Sequence, residues 1–297
     1  VKELVILSGK GGTGKTTVAA ALAHLASQEA SLVMADADVD AANLELVLAP
    51  EKMEVHTFVG GKVAHIDPET CTACGSCADV CRFDAVHAGG DAYRVDRLAC
   101  EGCASCFYLC PAEAIQMQEQ QAGQWYRSQT PFGPLFHAHL YAGQENSGKL
   151  VLLIKQQARL WTRDTGAGFL VVDGPPGIGC PVIAASSGAD LALLVVEPTV
   201  SGVHDLRRIL ATAEHFRLPA VALINKSDLS ARQTDEIRSF CALRGVAIMG
   251  QIPYDAVVTE AMVQGQPVTA YADGKVSRAL KRAWNEIKER LSKTAQP

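Results

Sequence analysis

Eight of the ten cysteines lie between Cys71 and Cys110, in two runs of one pattern. Cys71, Cys74, Cys77 and Cys81 follow C-x2-C-x2-C-x3-C, and Cys100, Cys103, Cys106 and Cys110 repeat it with an offset of 29 residues. Close-set thiolates are ligands for soft metals, as iron–sulfur centres or as paired zinc sites of four thiolates each. A second chemistry stands near the start of the chain. Gly9-Lys10-Gly11-Gly12-Thr13-Gly14-Lys15-Thr16 satisfies G-x-x-x-x-G-K-[ST] between an apolar run and an alanine-rich helical stretch. In that context glycines let backbone N–H groups wrap phosphate oxygens, Lys15 reaches the β/γ-phosphates and the Thr16 hydroxyl ligates Mg²⁺. The bland alternative is a bare glycine turn.

These groups need elements to hold them. Leu4–Leu7, Leu32–Ala35, Phe169–Val172, Leu191–Val196, Val221–Ile224 and Ala247–Ile252 are short apolar runs that predict buried strands. Helices are expected over Thr16–Gln28, Gly148–Trp161, Ser201–Phe216 (capped by Ser201), Ser230–Arg244 and Lys275–Ser292. Strands alternating with such helices imply an α/β fold with a mostly parallel sheet flanked by helices. Carboxylates just after strands then point into a nucleotide crevice, which marks Asp36, Asp38 and Asp173. Asp40 reads as a solvated turn residue.

Residues 65–115 break this rhythm. Beyond the cysteines, Ile66-Asp67 matches Val95-Asp96 and Ala85-Val86 matches Ala114-Ile115 in the same register. So short a segment cannot bury much core, so something other than packing must hold it. The expected organisation is therefore an insert at 61–119 within a discontinuous domain made of 1–60 and 120–297.

The two lysines of Lys10-Gly11-Gly12-Thr13-Gly14-Lys15-Thr16, followed by Asp36-Ala37-Asp38, Asn43-Leu44 and Asp173-Gly174-Pro175-Pro176-Gly177, resemble the deviant Walker A pattern of the MinD/ParA family of P-loop ATPases. The resemblance implies ATP or ADP with Mg²⁺, cradled by Gly11, Gly12, Thr13, Gly14, Lys15, Thr16 and Thr17. It implies that Lys10 reaches across a dimer to the partner's nucleotide and that Asp38 orients the attacking water. Asp36 would stand near the Mg²⁺ shell, Asp173 would hold Mg²⁺ through water, and Gly177 would offer an N–H to the γ-phosphate. Asn225 would read the adenine edge, with Pro253 and Tyr254 in the base-side loop. The run Asn225-Lys226-Ser227-Asp228 could suggest guanine, but the deviant lysine and D-x-P-P-G favour ATP. Asp40 departs from the family, which usually has glycine there.

The cysteine runs resemble the bacterial ferredoxin motif, the second ending in Cys110-Pro111. That resemblance implies an α+β ferredoxin-like insert with two [4Fe-4S] clusters and a crossed fourth ligand. One cluster takes Cys71, Cys74, Cys77 and Cys110; the other takes Cys100, Cys103, Cys106 and Cys81. Arg82 stands where the first run would usually carry proline; a cation there would raise the potential of a nearby cluster or point to solvent.

Other residues read more plainly. Cys180, seven residues past Asp173, is expected as a small buried thiol beside the switch, and Cys241 as a core residue. His137 and His139 share one face of a strand, a possible metal pair with no third ligand evident. The last helix carries Val276, Leu280, Ala283, Trp284, Ile287 and Leu291 on one face, the pattern of a helix packed on the sheet and also of a membrane-surface helix; packing is preferred.

The formal charge of −5 is concentrated in residues 65–115, where eight acidic side chains meet three arginines. A neutral body with an acidic insert is a poor footprint for nucleic-acid binding, and the acidic face either meets a basic partner or is solvated. No apolar run reaches bilayer length and no leader-like segment precedes the phosphate loop, so a cytoplasmic location is expected. The expected function is a dimeric switch ATPase, as a homodimer or as a heterodimer with a related ATPase. Its nucleotide state would be coupled to electron transfer or metal-cluster assembly on a redox or metal-cluster partner. The alternative is an ATP-switched scaffold or positioning protein whose clusters are structural or cargo.

Overall fold

The apolar runs become the centre of one sheet. The computed structural model describes residues 1–144 and 147–294. In chain order the elements are β1 (Lys2–Ser8), α1 (Lys15–Ser27), β2 (Leu32–Asp36), α2 (Leu44–Leu48), β3 (Glu51–Ile66), α3 (Ser76–Asp79), β4 (Val86–Ala88), β5 (Tyr93–Val95), α4 (Ser105–Leu109), β6 (Ile115–Thr130) and β7 (Gly133–Leu140). There follow α5 (Ser147–Thr165), β8 (Phe169–Pro176), α6 (Cys180–Ser186), β9 (Leu191–Val196), α7 (Val200–His215), β10 (Ala220–Asn225), α8 (Ala231–Leu243), β11 (Ile248–Ile252), α9 (Val257–Val263), α10 (Val268–Tyr271) and α11 (Lys275–Thr294). The strand order is β11-β10-β9-β1-β8-β2-β7-β6-β3. The pairings β10–β11, β9–β10, β1–β9, β1–β8, β2–β8 and β2–β7 are all parallel.

The chain forms two compact units. One comprises Val1–His56, Trp125–His139 and Ser147–Pro297; the other comprises Thr57–Gln124 and Leu140–Asn146. The chain changes unit within β3, within β6, within β7 after His139 and again before Ser147; β3 and β6 are 16-residue strands absent from the sequence expectations. The expected domain boundaries were 60/61 and 119/120, and the last expected residues, 295–297, lie outside the described residues.

In the first unit, Leu4, Ile6, Met34, Val171 and Leu193 pack against α1 and α11. The apolar face of α11 is buried there: Leu280, Ala283, Trp284, Ile287 and Leu291 are each 2% exposed or less, as sheet packing requires. Among the described residues, no helix is long and apolar enough to cross a membrane. Lys155 on α5 is fully buried and pairs with Glu3 of β1 at 2.8 Å, while Arg159 grips the other Glu3 oxygen at 2.6 Å. The cap of α7 is Thr199, not Ser201: its hydroxyl accepts from the Gly202 N–H at 3.0 Å, while Ser201 faces Lys10.

The second unit repeats itself in backbone as well as in sequence. Ala73 and Gly102, Gly75 and Ala104, and Asp84 and Glu113 are pairs at the same offset, and all six have positive φ. Its small core joins Ala64, Ile66, Val86 and Ile115 to Cys77 and Cys106.

Candidate functional site

The phosphate loop connects β1 to α1. Gly14, at φ +88°, starts α1 without a side-chain cap, so the first amides of the helix face the loop with no protein acceptor at the cap. A Cβ on Gly14 would sit 2.2 Å from Asn225 Nδ2, so glycine is required there. That Asn225 nitrogen donates to the Thr13 carbonyl at 2.8 Å. Asn225 lines the cleft as expected, but its amide N–H braces the loop rather than standing free for a base edge.

Behind the loop sits a buried charge cluster. Lys15 Nζ lies 3.3 Å from Asp173 Oδ1 and 3.8 Å from Asp38 Oδ2. Burial works against the lysine's charge, yet Asp173, Asp38 and Asp36 outweigh it and raise its pKa. Asp36 and Asp173 are partners in the β2–β8 register, and both are 0% exposed. Asp36 Oδ2 accepts from the amides of Asn43 (3.1 Å) and Leu44 (2.9 Å), and Oδ1 from that of Asp38 (3.1 Å). Burial first, then the charge of Asp173, push the Asp36 carboxyl up to about 8. Asp36 Oδ2 therefore holds the start of α2 while Oδ1 holds the loop at Asp38, a role its position at a strand end did not reveal. Asp173 Oδ2 is buried with no hydrogen-bond partner, as is Thr13 Oγ1. An orphaned carboxylate oxygen beside a phosphate loop fits a hydrated Mg²⁺, which would satisfy it. Asp38 is partly exposed to the cleft; burial raises its carboxyl pKa against the pull of Lys15. Asp40 is exposed, as expected.

A cleft of about 800 Å³ opens in front of this cluster. Gly11 to Thr17 line it on one side, and Asn225, Pro253 and Tyr254 on another, so one cavity gathers the expected phosphate and base residues. Gly177 departs from expectation. Its N–H donates to the Ser8 carbonyl at 3.0 Å, continuing the parallel β1–β8 pairing in which Ser8 stands opposite Pro176. Offering that N–H to a phosphate requires the peptide to turn. Cys180 is another correction: it is exposed, because it starts α6 rather than entering the sheet, whereas Cys241 is buried on α8 as expected.

Lys10 does not reach outward. Its Nζ lies 2.7 Å from Glu197 Oε1, 3.0 Å from Ser201 Oγ and 3.3 Å from Thr199 Oγ1. Lys226, at φ +52°, holds the other Glu197 oxygen at 3.1 Å and the Gly12 carbonyl at 3.2 Å. Burial opposes the charge of Glu197, but the two lysines prevail and hold its carboxyl below the usual range. Glu197 follows β9 as Asp36 closes β2, so the strand-end rule that found Asp36 could have found it.

In the second unit, Cys71, Cys74, Cys77 and Cys110 line one cavity, and Cys81, Cys100, Cys103 and Cys106 line another. Each quartet takes three thiols from one repeat and one from the other. The Ala85 and Ala114 amides donate to Cys81 Sγ (3.4 Å) and Cys110 Sγ (3.3 Å), and Cys74 and Cys103 each sit 3.5 Å from the serine two residues on. These serine contacts lower the Cys74 and Cys103 thiol pKa values, while burial raises those of Cys77 and Cys106.

The CobQ/CobB/MinD/ParA nucleotide binding domain matches residues 4–268. An uncharacterized protein of Methanocaldococcus jannaschii is 33% identical over 97% of both chains. An iron-sulfur cluster carrier protein of Pyrococcus horikoshii is 24% identical, over 97% of this chain and 87% of its own. The structure is similar to that of the septum site-determining protein MinD complexed with Mg-ADP from Pyrococcus horikoshii, with a TM-score of 0.62 at 19% identity over 100% of this chain and 99% of the other. The lysine-bearing loop, the paired strand-end aspartates and the cleft before them are thus set in a recognisable frame: the chain belongs to the CobQ/CobB/MinD/ParA family of nucleotide-binding domains and is an ATPase.

Proposed function

We propose that this ATPase is a dimeric switch whose nucleotide state is coupled, through a ferredoxin-like insert at 61–119 holding two [4Fe-4S] clusters, to electron transfer or cluster assembly on a partner protein. The observation that carries the reading is the crossed make-up of the two thiol cavities. Cys71, Cys74, Cys77 and Cys110 would hold one cluster, and Cys100, Cys103, Cys106 and Cys81 the other. The donor set fits: soft thiolates, two of them accepting backbone N–H bonds. The spread of the sulfurs also argues against zinc. Among the described residues, the three-ligand group with donor atoms all within 4.8 Å is Glu45, His137 and His139, not any three cysteines. Four thiolates on one zinc at about 2.3 Å would lie about 3.8 Å apart. When bound, such clusters supply one-electron redox chemistry.

On the nucleotide side, the amides of Gly11–Thr17 and the Lys15 ammonium hold the phosphates. Thr16 and the unpartnered Asp173 oxygen would hold Mg²⁺, with Asp36 behind them fixing α2. Mg²⁺ supplies neutralising charge for phosphoryl transfer. Asp38 orients the attacking water from the cleft wall. Pro253 and Tyr254 flank the base, with Asn225 bracing the loop beside it. ATP draws Lys10 from Glu197 toward the nucleotide of a second chain, in a homodimer or a heterodimer with a related ATPase. The likeness to the iron-sulfur cluster carrier protein of Pyrococcus horikoshii supports the cluster-assembly arm.

The test is a redox titration of anaerobically purified protein without nucleotide, with ADP and with ATP. A potential that shifts with ATP supports coupling. Clusters whose potential ignores nucleotide would make them structural or cargo, and the protein a scaffold.

A further inference from the structure

Glu45 stands on the first turn of α2, and His137 and His139 stand on β7. The two imidazoles share a strand face, and α2 brings to it the third donor that the sequence did not reveal. His139 Nε2 lies 3.1 Å from Glu45 Oε1, and His137 Nδ1 lies 3.2 Å from Glu45 Oε2. All three ligand atoms fall within 4.8 Å of one another. His137 is 0% exposed, and its Nδ1 has no hydrogen-bond partner despite facing the carboxylate. The other ring nitrogen, Nε2, is 2.8 Å from Ser128 Oγ.

We propose that Glu45, His137 and His139 bind one divalent cation of the zinc class, tying α2 to β7. The inference is independent of the nucleotide and cluster readings. With Nε2–H donating to Ser128, the Nδ1 lone pair of His137 faces an anionic oxygen; a cation between them turns two opposed acceptors into two ligands. A ligating histidine commonly has its second nitrogen held in this way by a hydrogen-bond partner. Two imidazoles and a carboxylate are a donor set suited to zinc, with a position left for water. The site also has a place in the fold. Asp36 accepts from the amides of Asn43 and Leu44, so the helix that carries Glu45 is the one Asp36 holds. An ion at Glu45 fixes α2 from its other partner strand and limits its movement beside the phosphate loop.

The test uses the full chain carrying its iron and sulfide, dialysed against zinc chloride, as wild type, His139→Ala and Glu45→Gln. His139 is half-exposed, so its loss leaves the core intact; circular dichroism confirms the fold of each variant. Metal analysis should give about one zinc per wild-type chain, and zinc K-edge absorption should show nitrogen and oxygen near 2.0 Å rather than sulfur near 2.3 Å. Both variants should bind zinc at least tenfold more weakly, and zinc should slow amide hydrogen exchange across Leu44–Leu48 in wild type only. Wild type without nitrogen/oxygen-ligated zinc, or variants that retain it undiminished, would overturn the assignment.

Discussion

Lys10 and Glu197 form a 2.7 Å ion pair within one chain, and the same carboxylate holds Lys226 at 3.1 Å. The lysine whose counterpart in the resembling family crosses to a partner's nucleotide is here stored against its own sheet. A partly exposed pair of this kind is worth about 1 kcal/mol or less, so a phosphate can draw the lysine away. Stored in this way, Lys10 is satisfied within its own chain, which would give the proposed switch a resting state.

The first prediction follows from that storage. In an Asp38→Ala background, which should bind ATP yet hydrolyse it poorly, ATP but not ADP should produce dimers in light scattering. Adding Glu197→Gln should lower the protein concentration needed by roughly two- to fivefold, the worth of the lost pair. Adding Lys10→Ala should abolish the dimer while nucleotide stays bound. Dimers that persist without Lys10 would leave it a loop lysine acting in cis.

Lys15 faces a different balance. It pairs with the Asp173 and Asp38 carboxylates and is the cation proposed to meet the phosphates. Lys15→Ala should weaken ATP binding by roughly 100-fold or more, since charge-assisted bonds to several phosphate oxygens are lost. Calorimetric titration with ATP in the presence of Mg²⁺ reads this directly, and an affinity within a few-fold of wild type would contradict it.

The crossed quartets predict which cysteine pairs fail together. Wild type should carry about eight iron and eight sulfide per chain. Cys71→Ala/Cys110→Ala should retain about four, because both changes strike one cluster, whereas Cys71→Ala/Cys100→Ala should retain almost none. Equal losses in the two double variants would mean that each repeat binds its cluster alone.

The remaining thiols should separate by access. Burial pushes the Cys241 thiol up to about 11, while Cys180 is exposed at the start of α6. In iron-loaded protein at pH 8, iodoacetamide should modify Cys180 and spare Cys241 until the chain is unfolded, because only an accessible thiolate reacts. Peptide mass spectrometry distinguishes the two sites.

Glu3→Gln tests the Glu3–Lys155–Arg159 cluster that joins β1 to α5. Removing the carboxylate leaves Lys155 buried against the carbonyls of Ala185 and Ser187 and should cost about 3 kcal/mol or more in urea unfolding. Burial lowers the Lys155 ammonium from 10.5 to about 8, against the pull of Glu3. Between those values the unfolded chain holds a proton that the folded chain has released, so this group makes stability rise with pH through that window. In Glu3→Gln the rise should begin at lower pH, and unfolding midpoints from pH 6 to 10 would reveal its absence.

Much of this molecule is legible along the chain because its chemistry is local. The phosphate-loop pattern lies in eight consecutive residues, Gly9–Thr16, and the repeated cysteine spacing carries recurring left-handed backbone positions with it. The short apolar strands β1, β2, β8, β9 and β10 are equally plain, since their residues are buried almost throughout. β3 escaped notice because most of its residues are exposed and give no alternating apolar pattern. What folding alone decides is which distant groups meet. Glu197 reaches Lys10 because β9 lies beside β1, and Glu45 reaches His137 and His139 because α2 follows β2, which pairs with β7. Gly177 spends its N–H on Ser8 and Asn225 its amide on Thr13 for the same reason: parallel strands bring their ends to one edge of the sheet, and polar groups gathered there must find partners.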